Sequence, residues 1–305
     1  MIRSFSALAA AVAGAILLAA GAAPAQAPSP GPTRLFADSL FASNDRISVE
    51  VVGEGPDLVL IPGLASSRET WRATAERLRA HYRLHLIQVA GFAGEPAGAN
   101  ASGPVVGPTA EAIDAHLTGA HITPAVVIGH SLGGTIALYL AEHHPEHIKK
   151  VLLVDALPYF AVTMFGPAAA ADKVTPIAEG IRHGPPQPEA ATSRMIAAMV
   201  GGEADRARVL GWSKASDPAV VAAALADDLE LDLRPGLGAV KVPITLLYPD
   251  NTPLGAPAGA MDGFYAAAYA AAPVKTLVRV DKAQHFLMLD QPAAFAADLD
   301  AFLAK

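Results

Sequence analysis

The sequence predicts an α/β fold in which a mainly parallel sheet of eight strands is covered by helices on both faces. Short, continuously apolar runs recur along the chain, as expected of strands that are buried on both faces. Segments with helical spacing lie between these runs, and such alternation favours a parallel sheet. The predicted strands are 34–41, 47–52, 57–62, 84–90, 125–130, 151–155, 244–248 and 275–280, and the main helices are 70–81, 109–117, 132–144 and 292–303.

The composition describes a folded protein without general affinity for polyanions. The chain has 305 residues, 52% hydrophobic and 17% charged, which is enough to bury a large core. Its formal net charge of −7 argues against binding nucleic acid or an anionic membrane surface. The sequence contains no cysteine, which excludes disulfides, thiol catalysis and cysteine-ligated metal sites.

The N-terminus has the pattern of a secretory signal peptide. Arg3 supplies a positive charge, and the apolar run 7–20 that follows is too short to span a bilayer. Of two small-x-small cleavage sites, 23–25 and 25–27, we prefer the first, because the second would leave Pro28 at the new N-terminus. We therefore expect a signal peptide over 1–25, a linker over 26–33, and a periplasmic or secreted protein without stable membrane insertion. An uncleaved anchor is the alternative.

One stretch interrupts the alternation of strands and helices. Between Leu157 and Lys241 the sequence contains proline-punctuated helical segments, such as 190–200 and 218–229, and no good strand. We predict that 157–241 form a helical cap inserted after the sixth strand, and that 34–156 and 242–305 form the core. Helices that pack beside the sheet and cover nothing are the alternative.

The segment Gly129-His130-Ser131-Leu132-Gly133 matches the G-x-S-x-G pattern of a nucleophile elbow. A buried strand precedes it and a helix follows, which is the context that the pattern requires. The glycines are needed because the serine lies on a strained turn with no room for flanking side chains. A phosphate-binding loop would require a Gly-Lys-Ser/Thr sequence that is missing here. Ser131 is the predicted nucleophile.

A serine hydroxyl needs a base, and where serine occupies such an elbow, the acid and then the histidine follow it along the chain. Only two histidines lie beyond Ser131 by more than one helix. His183 falls within the predicted cap, whereas His285 follows the last strand. We therefore predict that His285 is the general base. His130 occupies the variable position of the elbow, and we interpret it as structural.

Three more histidines, His143, His144 and His147, end the helix that begins at the nucleophile. They resemble a metal cluster, but about twelve helical residues place them roughly 18 Å from the serine. Histidine at a helix C-terminus is also favoured by the helix dipole. We interpret them as solvated helix-end residues and expect neither a metal nor another cofactor.

Three aspartates are candidates for the acid that orients His285. Asp250 follows the penultimate strand and is the preferred candidate, Asp155 at the end of the preceding strand is the alternative, and Asp262 is a third. The aspartates that do not contact His285 would be ordinary turn or helix-cap residues.

An oxyanion hole requires backbone N–H groups that point towards the developing negative charge. One should belong to Leu132, which follows the nucleophile. The other should come from the loop Pro62-Gly63-Leu64 after the third strand, and Leu64 is the candidate.

Four segments together resemble the α/β-hydrolase superfamily, most closely its capped esterase, perhydrolase and C–C hydrolase-like members. They are the Pro62-Gly63-Leu64 loop, the turn 90–94, the elbow 129–134 and the tail 285–292. The resemblance implies an α/β-hydrolase fold, and a serine nucleophile sets the chain apart from members with an elbow aspartate. Two features depart from the pattern: Pro62-Gly63 replaces a common His-Gly, and the loop 248–253 lacks Gly-x-x-Asp.

The predicted function is hydrolysis of a small, hydrophobic carboxylic ester through an acyl-enzyme on Ser131. Tyr159, Phe160, Met164 and Phe165 in the cap are candidates for the substrate pocket, since apolar and flexible side chains suit such esters. The expected partner is a small-molecule substrate. A lactonase, a C–C bond hydrolase and a catalytically weak small-molecule-binding protein remain the alternatives.

Overall fold

An eight-stranded sheet runs through residues 34–305, the part of the chain that the computed structural model describes. The predicted signal peptide and linker lie outside the described residues. The strands are β1 (Leu40–Ser43), β2 (Ile47–Val52), β3 (Asp57–Ile61), β4 (Arg83–Val89), β5 (Ala125–His130), β6 (Ile148–Val154), β7 (Ile244–Pro249) and β8 (Lys275–Val280). Their order in the sheet is β1-β2-β4-β3-β5-β6-β7-β8.

The sheet is mainly parallel, as predicted. β1 and β2 pair antiparallel with each other and β2 pairs antiparallel with β4, whereas all pairs from β4 to β8 are parallel. The first strand is shorter than the predicted range 34–41. The amides of Leu35 and Phe36 donate to the buried carboxylate of Glu50 at 2.8–2.9 Å, so this segment is held by a side chain and strand pairing begins only at Leu40.

Twelve α-helices occur within the described residues. They are α1 (Arg72–Leu78), α2 (Val106–Gly119), α3 (Leu132–His143), α4 (Val162–Phe165), α5 (Ala171–His183), α6 (Glu189–Met199), α7 (Glu203–Ala215), α8 (Pro218–Glu230), α9 (Arg234–Leu237), α10 (Asp262–Ala268), α11 (Leu287–Asp290) and α12 (Pro292–Leu303). The six helices α4–α9 lie between β6 and β7, and no strand occurs in that stretch. Within residues 34–305, no helix is both long and apolar enough to cross a membrane.

Both faces of the sheet are buried, which explains the continuously apolar strands. Val59 and Ile61 of β3 point into a cluster with Ile113 of α2 and Ile136 of α3. Their neighbours in β3, Leu58 and Leu60, point into a second cluster on the opposite face, with Trp71 and with Phe295 and Leu299 of α12. Because successive strand residues alternate between faces, a strand covered on both sides needs apolar residues throughout.

The parallel strands β5, β6, β7 and β8 end at the same edge of the sheet. Ser131 directly follows β5, Asp155 follows β6 and Asp250 follows β7, while His285 lies in the loop after β8. The fold therefore gathers at one edge residues as distant in the chain as Ser131 and His285, which are 154 positions apart. Functional sites of α/β sheets are commonly built at this carboxyl edge.

Candidate active site

Ser131 occupies a strained turn between β5 and α3. Its backbone has φ 53° and ψ −123°, a conformation that non-glycine residues rarely adopt and that is found mainly at functional sites. A Cβ at Gly129 would lie 2.1 Å from the Gly133 carbonyl oxygen, and one at Gly133 would lie 2.4 Å from the Ile61 carbonyl oxygen. The flanking glycines are thus required by close backbone packing, as the sequence pattern predicted.

The loop after β3 lies directly against the serine. A Cβ built on Gly63 would be 3.1 Å from the Ser131 Cβ, so any larger residue there would crowd the hydroxyl. The Ser66 amide donates to the Gly63 carbonyl at 3.2 Å and Ala65 takes the left-handed conformation with φ 53°, which closes a tight turn. Within residues 34–305, the amides of Leu64 and Leu132 have no hydrogen-bond acceptor. Two unused backbone donors therefore flank the elbow.

His285 is held by a carboxylate. Its Nδ1 lies 2.6 Å from Asp155 Oδ2, and the side chains are 21% and 11% exposed respectively. Because an ionised carboxylate only accepts hydrogen bonds, the neutral imidazole carries its proton on Nδ1. That tautomer leaves the lone pair on Nε2 free to accept a proton.

The pairing of His285 with Asp250, which the sequence favoured, is not the one in the structure. Asp250 is 4% exposed and its carboxylate accepts hydrogen bonds from the Thr252 amide at 3.1 Å and the Thr252 hydroxyl at 2.9 Å. Asp262 instead accepts from the Tyr248 hydroxyl at 3.0 Å. Asp250 therefore caps its own turn, as expected of an aspartate that does not contact His285. Asp155 lies beside the histidine instead.

Tyr265 of α10 supports the other oxygen of that carboxylate. Its hydroxyl donates a short hydrogen bond to Asp155 Oδ1. Burial and the nearby charge of Asp155 raise the pKa of Tyr265 well above its ordinary value, so the phenol stays a neutral donor. With His285 on Oδ2 and Tyr265 on Oδ1, both oxygens of Asp155 are engaged, which fixes the carboxylate in one orientation.

His130 contacts the backbone of the histidine loop. Its Nε2 lies 3.1 Å from the His285 carbonyl oxygen, which can only accept, so Nε2 carries the proton. Burial, and then the charge of His285, hold the pKa of His130 well below its ordinary value. Its ring also packs against Phe286 in a tilted arrangement, with a centroid distance of 4.5 Å. His130 is thus structural, as expected, and its contacts help to place the loop that carries His285.

The four candidate pocket residues lie in the helical insertion, in or beside a small hydrophobic cluster. Tyr159 is 2% exposed, and its ring is covered by the guanidinium of Arg234, 4.4 Å from the ring centroid. Phe160, Met164 and Phe165 are half-buried and pack against that cluster. Tyr159 therefore belongs to the interior of the insertion, while the other three keep an exposed part.

Comparison with known proteins agrees with this architecture. Residues 58–298 match the alpha/beta hydrolase family, a range that contains Ser131, Asp155 and His285. The chain belongs to the alpha/beta hydrolase family. The resemblance and the fold class inferred from the sequence are thereby confirmed, with the serine in its expected place between β5 and α3.

Relatives of this chain within the family are esterases. A pimeloyl-acyl-carrier-protein methyl ester esterase of Nitrosomonas europaea is 31% identical over 224 residues, which cover 71% of this chain and 84% of the relative. The enzyme of the same name from Vibrio cholerae is 26% identical over 268 residues, covering 84% of this chain and 97% of the relative. The chain is accordingly an enzyme of the carboxylic ester hydrolase type.

A solved structure shows the same fold at lower identity. The enol-lactonase of Burkholderia xenovorans superimposes with a TM-score of 0.67 at 18% identity, over 87% of this chain and 100% of the lactonase. At this identity the similarity supports a shared fold and no statement about function.

Sequence reasoning missed two parts of the site. Tyr265 has no local signal, because its partner Asp155 is 110 positions away. The hydrogen bond from His130 to the His285 carbonyl spans 155 positions. Either contact could be found only by knowing which strand ends are neighbours at the edge of the sheet.

Proposed function

We propose that this protein hydrolyses a small carboxylic ester through an acyl-enzyme on Ser131, with His285 as general base and Asp155 as the acid that orients it. The observation that carries the proposal is the 2.6 Å contact between His285 Nδ1 and Asp155 Oδ2, at the same edge of the sheet as a serine on a strained elbow. A serine, a histidine and an oriented carboxylate are the parts that nucleophilic acyl transfer needs.

In the first half of the reaction, Ser131 Oγ attacks the acyl carbonyl carbon while His285 Nε2 takes the hydroxyl proton. The imidazolium that forms donates from Nδ1 to Asp155, whose negative charge stabilises it. The carbonyl oxygen becomes an oxyanion, which the Leu64 and Leu132 amides are available to bind. The tetrahedral intermediate then collapses: the bond to the alcohol oxygen breaks, and His285 returns the proton to the departing alcohol.

In the second half, a water molecule attacks the acyl group on Ser131. His285 Nε2 removes a proton from the water, and the same two amides stabilise the second oxyanion. Collapse breaks the bond to Ser131 Oγ, which regains the proton from His285. The acid is released and the enzyme returns to its starting state.

The helical insertion 157–241 is proposed to act as a cap over this site. Its residues contact three loops of the catalytic edge. The Asp217 amide donates to the Gly91 carbonyl at 2.7 Å, the Trp212 indole to Glu69 at 3.3 Å, and the Phe286 amide to the Met199 carbonyl at 3.2 Å. The last contact is made by the residue next to His285, so the insertion reaches the loop that holds the base.

The proposed substrate is small and largely apolar. Phe160, Met164 and Phe165 are half-buried apolar residues on the insertion and remain our candidates for contact with the acyl group. The relatives named above act on a methyl ester, which suggests a compact alcohol portion. Lactones are cyclic esters and would need no change in the mechanism.

A panel of substrates tests the proposal. Purified protein comprising residues 26–305 is assayed with p-nitrophenyl esters of increasing chain length, with dimethyl pimelate, and with lactones and amides. We expect turnover of esters, loss of turnover in Ser131→Ala, and attachment of a fluorophosphonate to Ser131 in the peptide mass map. Labelling of Ser131 without turnover of any ester or lactone would instead support the binding-protein alternative. Labelling of a different residue would disprove the assignment of the nucleophile.

We also propose that the protein is exported and cleaved after residue 25. The basis is the sequence pattern of residues 3–25, which is that of a signal peptide. Intact-mass measurement of the protein recovered from the periplasm or the medium should give a chain that begins at Gln26. A full-length chain in the membrane fraction would support the uncleaved anchor.

A further inference from the structure

A cluster of histidine and carboxylate side chains lies where the end of α3 meets α2. Asp114 comes from α2, and His144 and His147 come from the turn between α3 and β6. Asp114 Oδ1 lies 2.7 Å from His147 Nδ1, and Asp114 Oδ2 lies 3.8 Å from His144 Nδ1. The side chains are only 14–27% exposed. The Nδ1 atoms of both histidines thus face one carboxylate in a half-buried setting.

The far nitrogens of both rings face two further carboxylates. His144 Nε2 lies 3.1 Å from both oxygens of Glu111, and His147 Nε2 lies 3.8 Å from Glu146. The hydrogen bond from His144 Nε2–H to Glu111 fixes the tautomer in which His144 Nδ1 keeps its lone pair. His147 Nδ1 instead donates its proton to Asp114 at 2.7 Å, so an ion would displace that proton on binding. At His144 the contact with Glu111 is the carboxylate–histidine arrangement that is common among metal-ligating histidines and raises the basicity of the ligand nitrogen.

The spacing of the donor atoms suits a small divalent ion. One ligand atom from each of Asp114, His144 and His147 lies within 4.8 Å of the others. Around a tetrahedral Zn²⁺, with bonds of about 2.0–2.2 Å, neighbouring donors stand about 3.3–3.5 Å apart. The facing atoms of Asp114 and His147, which are 2.7 Å apart, would therefore separate by less than about an ångström, and His144 Nδ1, which is 3.8 Å from Asp114, would approach by about half an ångström.

We propose that Asp114, His144 and His147 bind a divalent transition-metal ion of the Zn²⁺ class, with water in the fourth position. The ligand set favours Zn²⁺ over Mg²⁺ or Ca²⁺, since those hard cations take oxygen ligands. The surrounding carboxylates of Glu111 and Glu146 supply the compensating negative charge. Three protein ligands and an open fourth position make this a three-ligand zinc site in its coordination.

The site lies away from the catalytic residues. Leu132, the first residue of α3, follows the nucleophile, and His143 is the last. The rise of such a helix places its end roughly 18 Å from its start. A bound ion would join α2 to the turn that connects α3 with β6. Because the ion would bind the folded state, it would stabilise the fold by mass action.

Calorimetry on untagged, chelator-treated protein tests the proposal, with ZnCl₂ as the probe and thermal unfolding as a second measurement. We expect one equivalent of Zn²⁺ to bind, the unfolding temperature to rise with ZnCl₂, and MgCl₂ to have no such effect. Asp114→Asn and His147→Ala should each lower the Zn²⁺ affinity more than tenfold. Glu111→Gln should lower it by about 10- to 100-fold, as expected for a residue that orients a ligand.

The neighbouring His143 provides the matched control. Its Nδ1 faces the Tyr139 carbonyl at 3.0 Å and its ring stacks on Tyr139, so it lies outside the cluster. His143→Ala should bind Zn²⁺ like the wild type, and ester hydrolysis or circular dichroism verifies that each variant is folded. Two results would overturn the proposal. One is no binding by the wild type up to about 1 mM ZnCl₂, which would leave at most a very weak affinity. The other is undiminished binding by His144→Ala/His147→Ala.

Discussion

The carboxyl ends of β6 and β7 are neighbours in the sheet and each is followed by an aspartate, yet the two aspartates have different surroundings. Asp155 lies between His285 and Tyr265. Asp250, one strand away, accepts both of its side-chain hydrogen bonds from Thr252. Both carboxylates are at least half-buried and both have partners, so burial alone does not distinguish them.

The difference arises from where each chain turns. After β6 the left-handed residue is Asp155 itself, with φ 48°, whereas after β7 it is the next residue, Asn251, with φ 56°. Ser131, which follows β5, also has a positive φ, of 53°. A side chain on the turning residue projects from the edge of the sheet towards its neighbours. A side chain one residue earlier is instead positioned to cap the turn that follows.

Removal of the nucleophile should give the largest effect and sets the baseline for both aspartates. Ser131→Ala removes the atom that forms the acyl-enzyme, so kcat for ester hydrolysis should fall by roughly 10³-fold or more. The variant should unfold at the wild-type temperature, because the hydroxyl has no hydrogen-bond partner within residues 34–305. Retention of more than about a tenth of the activity would mean that another group attacks the ester.

Substitution of the two aspartates tests the comparison directly. Asp155→Asn should lower kcat by roughly 10²- to 10⁴-fold with little change in KM, because an amide cannot stabilise the imidazolium. Asp250→Asn is the matched control and should cost less than about tenfold. Steady-state kinetics on the preferred ester measure both. If the larger loss belonged to Asp250, the 2.6 Å contact of His285 with Asp155 would not be the productive one.

Two tyrosines that donate hydrogen bonds to aspartates extend the comparison. Tyr265→Phe removes the donor to Asp155, and loss of a hydrogen bond to a charged group should lower kcat about tenfold while KM changes little. Tyr248→Phe is the control, since that hydroxyl donates to Asp262 and should change kcat less than about twofold. If Tyr265→Phe and Tyr248→Phe lost stability and activity in parallel, the role of Tyr265 would be only structural.

A third carboxyl should affect stability and leave kcat nearly unchanged. Asp228 of α8 is buried, and its Oδ1 has no hydrogen-bond partner within residues 34–305. Burial raises its pKa to about 7 from the ordinary 3.8. Between these values the folded state holds a proton that the unfolded chain releases, so the free energy of unfolding falls as the pH rises.

Asp228→Asn should remove that decline. Between about pH 5 and pH 8 the wild type should lose roughly 3 kcal/mol relative to the variant, as measured by urea unfolding at the two pH values. Above about pH 7 the difference should level off, because the folded state has then released its proton as well. Parallel curves for the two proteins would show that Asp228 is already ionised in the fold.

The parallel sheet, the elbow at Ser131 and the position of His285 after the last strand could be predicted from the amino-acid sequence. These features depend on consecutive residues: apolar runs for buried strands, and glycines where a Cβ would lie within 2.4 Å of a neighbouring carbonyl oxygen. The contact of His285 with Asp155 rather than Asp250 is visible only in the tertiary structure. The tertiary structure alone placed Tyr265 beside that carboxylate, and Asp114 beside two histidines that the sequence showed only as a helix end. The physical reason is that these contacts join residues 30 to 130 positions apart, and their geometry depends on how neighbouring segments turn.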